Sequence, residues 1–143
     1  MPPQCNQESL QFHPLFRRAV RGQFNGGAIT TEAGGLLRRE VAKRTGIIAQ
    51  FAASFRDHRD PARIEHRVEE LVAQRGYGLA LGYEDLNDHE ELRRDPLLAV
   101  LTEKPDPRGE KRAREREQGQ ALAGKSTLNR LELSAAEVRE EER

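Results

Sequence analysis

The sequence has little with which to build a cross-linked or metal-stapled fold. Cys5 is its single cysteine, so an internal disulfide is excluded, and so is a cysteine-rich zinc site. A reducing cytoplasm is the expected home. Tryptophan is absent and aromatics make up only 5% of the 143 residues, while 34% are charged. With a mean hydropathy of −0.83, such a chain buries a modest core and keeps other stretches solvated. The first residues, MPPQCNQESLQF, contain no apolar signal-peptide core. No apolar run is long enough to cross a bilayer, so no membrane partner is expected. Net charge is zero, from 24 basic and 24 acidic residues. The total therefore shows no basic clamp, although a local patch can still attract phosphates.

What is present is a succession of helix signals, and the expected fold class is mainly α. Residues 1–11 are polar and expected to be loose. FRRAVRGQFNGG reads as one short strand or hairpin near residues 16–30, running into a turn at Asn25-Gly26-Gly27. TTEAGGLLRREVAKRTG predicts a helix capped by Thr30 or Thr31 and stopped at Gly46, with Ala33, Leu36, Leu37 and Val41 on one buried face. Gly34 and Gly35 weaken its first turn but permit close packing. Ile47, Ile48, Phe51 and Phe55 share one side of a short helix. Asp60-Pro61 predicts a capped helix through Gly78, carrying Ile64, Val68, Leu71 and Val72. Leu79, Leu81, Tyr83 and Leu86 read as buried, a short helix follows from Asn87 or Asp88 to Arg94, and Asp95-Pro96 opens another.

Residues 104–119 combine prolines, glycines and mixed charge, and read as a flexible charged linker. Beyond them Ser126 is the expected cap of one helix with Leu128 and Leu131 buried. Ser134 with Glu137 forms a capping box for a second.

Within this last region GQALAGKS, Gly119–Ser126, fits the phosphate-binding pattern G-x-x-x-x-G-K-[ST]. That loop works when a buried strand delivers glycine-rich backbone to a helix N-terminus. Here the preceding KRAREREQ is too charged for a buried strand, and no nucleotide-binding residues are assigned. YEDLNDHEE holds Glu84, Asp85, Asp88, His89, Glu90 and Glu91, yet Glu90 stands where a calcium loop needs glycine. These acids read as helix caps, and His89 as a hydrogen-bonded side chain. Asp57, His58, Asp60 and His66 make a poor zinc spacing. No metal or catalytic residue is assigned. From Arg17 to Arg44, seven cations (Arg17, Arg18, Arg21, Arg38, Arg39, Lys43 and Arg44) face only Glu32 and Glu40. These seven are the candidate DNA-binding residues.

Four blocks carry a resemblance: GGAITTEAGGLLRRE, RDPARIEH, GYGLALGYEDLNDHEELRRDPLL and LAGKSTLNRLE. From Phe12 onward the chain resembles the N-terminal region of bacterial insertion-sequence DDE transposases, group 1 of the transposase DDE domain. In relatives the last block reads like LASQPTLSRLEN, which makes the nucleotide pattern a chance variant of a helix start. The resemblance implies DNA cleavage and strand transfer by an RNase-H-like core with three carboxylates and divalent magnesium. It places the first catalytic Asp beyond the last block, and Asp85, Asp88 and Asp95 match no catalytic position. The expectation is a truncated transposase: a helical region over 1–103, the linker over 104–119, and over 120–143 the approach to a core outside this chain. Its expected partners are DNA at transposon ends and, in the full-length family, further copies of itself, with no cofactor in this chain. The alternatives are a helical protein-interaction module, a non-functional remnant, or a P-loop nucleotide-binding protein.

Overall fold

The computed structural model describes residues 9–23, 25 and 29–141, with side chains through Ser134. Cys5, Phe24, Gly26 and Gly27 lie outside the described residues, as does the turn expected there. The element order is β1 (Leu10–Leu15), β2 (Arg18–Gly22), α1 (Gly35–Thr45), α2 (Ile47–Ala52), α3 (Val68–Leu81), α4 (His89–Leu92), α5 (Pro96–Leu101) and α6 (Lys125–Glu141). Short 3-10 turns at Pro61–Arg63, Leu86–Asp88 and Glu115–Glu117 punctuate it. The architecture is mainly α with one antiparallel hairpin, as expected.

The hairpin falls earlier than the glycines suggested. Leu15 pairs with Arg18, so Phe16 and Arg17 make the turn. Phe16 adopts φ 54°, the left-handed backbone that glycine usually supplies in a two-residue turn. An irregular register between Phe12 and Leu15 accommodates His13 and Pro14 as a bulge.

Helix α3 is the central element, packed against α1, α2, α5 and α6. Its Ala73 and Tyr77 join Leu36, Leu92, Leu98, Ala99, Leu101, Ala121 and Leu122 in the main core. Leu71 joins Ala123 and Leu128 in a second cluster under α6. Gly35 sits so close to α5 that an added Cβ would lie 2.7 Å from Leu101 Cδ1, whereas Gly34 faces open space. The close packing expected of this glycine pair therefore comes from Gly35 alone.

Several local signals hold. Gly46 ends α1 with φ 66°. Asp60, Asp85 and Asp95 accept hydrogen bonds from Ala62 N, Asn87 N and Leu97 N. Others are overridden. Neither Thr30 nor Thr31 caps α1, which begins after Gly34 without a side-chain cap. Leu37 and Val41 are 63% and 61% exposed, while Leu36 and Arg39 point inward. The turn at Pro61–Arg63 does not grow into α3, because Ile64 is extended and His66 reaches to Lys104. Leu79 is half exposed rather than buried.

The two helices expected after Gly124 are one. No glycine or proline lies between Lys125 and Glu141, so nothing stops α6 at Leu133. Ser134 sits inside it and donates to Leu131 O, while Ser126 follows the first residue of the helix instead of capping it.

Residues 104–119 are anchored rather than loose. Lys104 is buried and donates to Glu70 Oε2 at 2.8 Å. Gly119 N donates to Gly109 O, closing the loop. Gly109, at φ 65°, packs against the backbone of Gln120 and Ala121, where a Cβ would come within 2.7–2.8 Å.

Candidate nucleic-acid interface

A phosphate-binding loop needs free backbone N–H groups, and the GQALAGKS stretch has spent most of them on protein acceptors. Gly119 N donates to Gly109 O, Gln120 N to Glu117 O and Leu122 N to Arg93 O. Ala123 N donates to Gln74 Oε1 and Lys125 N to Glu90 Oε1. The Lys125 ammonium, which would meet the terminal phosphate, donates instead to Asn87 Oδ1 at 3.0 Å. Ala121, Leu122 and Ala123 are buried in the core, and a 3-10 turn, not a strand, leads into Gly119. The pattern is a helix start.

Gln74 pins this segment to α3. Its Nε2 donates to Ala123 O at 2.8 Å while its Oε1 accepts from Ala123 N at 3.0 Å. That orientation makes Nε2 a donor to His89 Nδ1 as well, at 3.1 Å, and leaves the His89 ring proton on Nε2. Burial lowers the His89 pKa, so this fully buried ring is neutral. His89 is the hydrogen-bonded histidine expected from the sequence, and it is structural.

The seven candidate cations divide into two kinds. Arg17, Arg18 and Arg21 stand exposed on the hairpin, and Arg38, Lys43 and Arg44 on α1. Arg39 is fully buried. Its Nε donates to Glu103 Oε1 at 2.6 Å, Nη1 to His13 O at 2.6 Å and Nη2 to Pro14 O at 3.2 Å. Fully buried, and with each of its three nitrogens donating to the protein, Arg39 is out of reach of a phosphate and acts instead as the pin between hairpin, α1 and the end of α5. Lys43 shares Glu103 Oε1 at 3.3 Å.

The hairpin is fastened to α1 a second time. His13 N donates to Glu40 Oε1 at 2.6 Å, and the His13 ring meets Glu40 Oε2. Burial alone would raise the Glu40 pKa, but the hydrogen bonds and charge of His13, with Arg39 nearby, hold it below the usual carboxylate range. Arg17, Arg18, Arg21, Arg38 and Arg44 thus ride on one braced unit. None has an ion-pair partner among the described residues.

Beside these α1 cations the exposed apolar residues converge, and Arg38 lines the same groove. Leu37, Val41, Ile47, Phe51, Leu79 and Leu131 line an open groove of about 820 Å³ between α1, α2, α3 and α6. Phe51 and Phe55 meet edge to face at 5.5 Å. Their helical spacing is visible in the sequence, but not that the face they share looks outward.

The acidic clusters assemble no metal centre. Among the described residues no group of three or more His, Cys, Asp or Glu side chains is placed to hold an ion. Asp57 is occupied by Arg59, whose Nε and Nη2 each donate at 2.7 Å. Among the described residues no helix is long and apolar enough to cross a membrane.

Comparison with curated proteins and with solved structures gives no match. Comparison with protein families matches the transposase DDE domain group 1 over residues 12–143. That match takes in the hairpin from Phe12 onward, every helix among the described residues and the GQALAGKS segment, and the chain therefore belongs to the transposase DDE domain group 1 family.

Proposed function

We propose that this chain is the DNA-holding and assembly portion of a DDE transposase, gripping transposon-end DNA through phosphate contacts and lacking strand-transfer activity alone. The observation that carries the reading is the set of exposed, unpaired arginines on the braced hairpin–helix unit: Arg17, Arg18, Arg21, Arg38 and Arg44. Guanidinium groups on a rigid mount fix register on a duplex without reading its sequence. Family membership supports a transposase-related role. The divalent metal that the family resemblance implies does not fit the acids described here. Asp60, Asp85 and Asp95 are spent on helix starts, and Glu70 on Lys104. No cleavage step is derived from these residues. A cytoplasmic location is part of the same proposal.

The test is duplex binding measured against salt. Five phosphate contacts give a slope of log K on log salt of about −4 to −5. A flat dependence, or no binding at low salt, defeats the reading. The apolar groove favours a second, compatible reading in which copies of the chain assemble through this face. Phe51→Glu with Val41→Glu should then abolish any concentration-dependent increase in mass seen by light scattering. Unchanged association in that variant removes the groove from assembly.

A further inference from the structure

A separate cavity of about 560 Å³ opens between the Phe55–Arg59 turn, the start of α3, the 112–117 loop and the first turn of α6. Seven arginines line it against three carboxylates, Asp57, Glu65 and Glu117. The carboxylates neutralise only part of that charge. Asp57 takes Arg59 through two hydrogen bonds. Glu65 and Glu117 hold Arg112 at 2.8 and 3.0 Å, and Glu117 also meets Arg114 at 3.3 Å.

Arg56 and Arg130 are left with no hydrogen-bond or ion-pair partner among the described residues, and both are exposed at the cavity. Arg93 reaches Glu90 only at 3.4 Å, and its Nε is buried with no partner among the described residues. The first turn of the 17-residue helix α6 supplies Gly124, Ser126 and Thr127 to the wall. The Ser126 and Thr127 hydroxyls there can donate to an anion, and the positive end of the helix dipole favours one.

His66 registers the local field. Its Nδ1 meets Lys104 Nζ at 2.9 Å and its Nε2 meets Arg112 Nη1 at 3.3 Å. Burial first, then the charges of Lys104, Arg112, Arg93 and Arg59, push its pKa down to about 3. A neutral histidine between cations adds no positive charge of its own, and it marks the wall as electropositive.

We propose that this arginine-lined cavity is a phosphate-binding site, distinct from the hairpin–helix unit, taking a phosphate group between Arg56, Arg130 and the first turn of α6. Planar guanidinium donors match phosphate oxygens two at a time. The volume lies within the range of small-molecule sites. The phosphate comes either from a nucleic-acid chain or from a free phosphate ester, and the chemistry at the wall is the same. The site stands independently of the hairpin–helix reading.

The test uses the full chain, titrated separately with sodium pyrophosphate and with a short duplex, in wild type, Arg56→Ala/Arg130→Ala and Arg18→Ala/Arg21→Ala. Both substitution pairs are exposed, and circular dichroism checks that the fold is kept. Saturable pyrophosphate binding weakened at least tenfold by Arg56→Ala/Arg130→Ala, and unchanged by Arg18→Ala/Arg21→Ala, supports a site for free phosphate. Duplex binding weakened at least fivefold by Arg56→Ala/Arg130→Ala supports a nucleic-acid phosphate at the same place. If neither ligand responds to Arg56→Ala/Arg130→Ala, the proposal is overturned. Duplex binding lost only in Arg18→Ala/Arg21→Ala, with pyrophosphate binding unaffected by Arg56→Ala/Arg130→Ala, is that overturning result and leaves the hairpin–helix reading intact.

Discussion

Arg38 and Arg39 are neighbours in sequence with opposite duties, and substituting each alone separates stability from binding. Arg39→Ala removes the donor to two backbone carbonyls, His13 O and Pro14 O, and to Glu103 Oε1. A buried acceptor stripped of its donor costs about 1–3 kcal/mol. The Glu103 side chain is one-third exposed and recovers water, so its share lies at the low end. The His13 and Pro14 carbonyls are part-buried acceptors, so each contributes at the low end as well. The sum is a loss of about 3 kcal/mol, toward the lower end of what breaking a buried charge pair costs. In urea this moves the unfolding midpoint down by about 1–2 M. Arg38→Ala, exposed and unpaired, should shift stability by less than about 0.5 kcal/mol and remove about one phosphate contact from the salt slope. Equal urea midpoints for Arg39→Ala and wild type would refute the pinning argument. Substituting both together would confuse unfolding with lost contact, so they belong in separate proteins.

Acid should destabilise the fold through His66. Its pKa near 3 in the folded chain against about 6.5 unfolded means that the unfolded chain gains a proton first as pH falls. Stability is full above pH 6.5 and drops by about 2 kcal/mol at pH 5; His66→Gln should flatten that part of a urea-midpoint profile. Gly109→Ala forces a Cβ to within 2.7 Å of Ala121 N at φ 65°, and should lower thermal stability by more than about 2 kcal/mol. Gln74→Leu leaves both polar groups of Ala123 without partners, and should cost about 2–4 kcal/mol in chemical denaturation. Lys125→Ala should leave an ATP titration the same as in wild type, because the surrounding N–H groups are already bonded within the protein and the Lys125 ammonium donates to Asn87 Oδ1. Saturable ATP binding that disappears in Lys125→Ala would contradict that assignment.

What could be read from the sequence was local chemistry. An Asp two residues before a backbone N–H caps a turn wherever the chain goes next, so Asp60, Asp85 and Asp95 were legible. Gly46 was legible because a left-handed stop needs no tertiary partner. Arg39 was not, since its burial depends on Glu103, 64 residues away, and on carbonyls across the hairpin. Leu36 and Leu37 are adjacent, and spacing cannot decide which enters the core until α5 packs on Gly35. The break between Pro61 and α3 follows from Lys104 and Arg112 meeting His66, contacts invisible in the RDPARIEH block itself. The arginine cavity is hidden in the sequence for the same reason. Its charges are scattered from Arg56 to Arg130 and interleaved with acids, so no window of sequence shows an excess.

The most direct check on the whole account is the salt dependence of duplex binding, wild type against a chain with Arg17, Arg18, Arg21, Arg38 and Arg44 all changed to alanine. Wild type should lose affinity steeply as salt rises, with a slope near −4 to −5. The five-alanine chain, folded by circular dichroism, should fall to a slope shallower by about four. Identical slopes for the two proteins would show that the braced hairpin and α1 do not hold DNA.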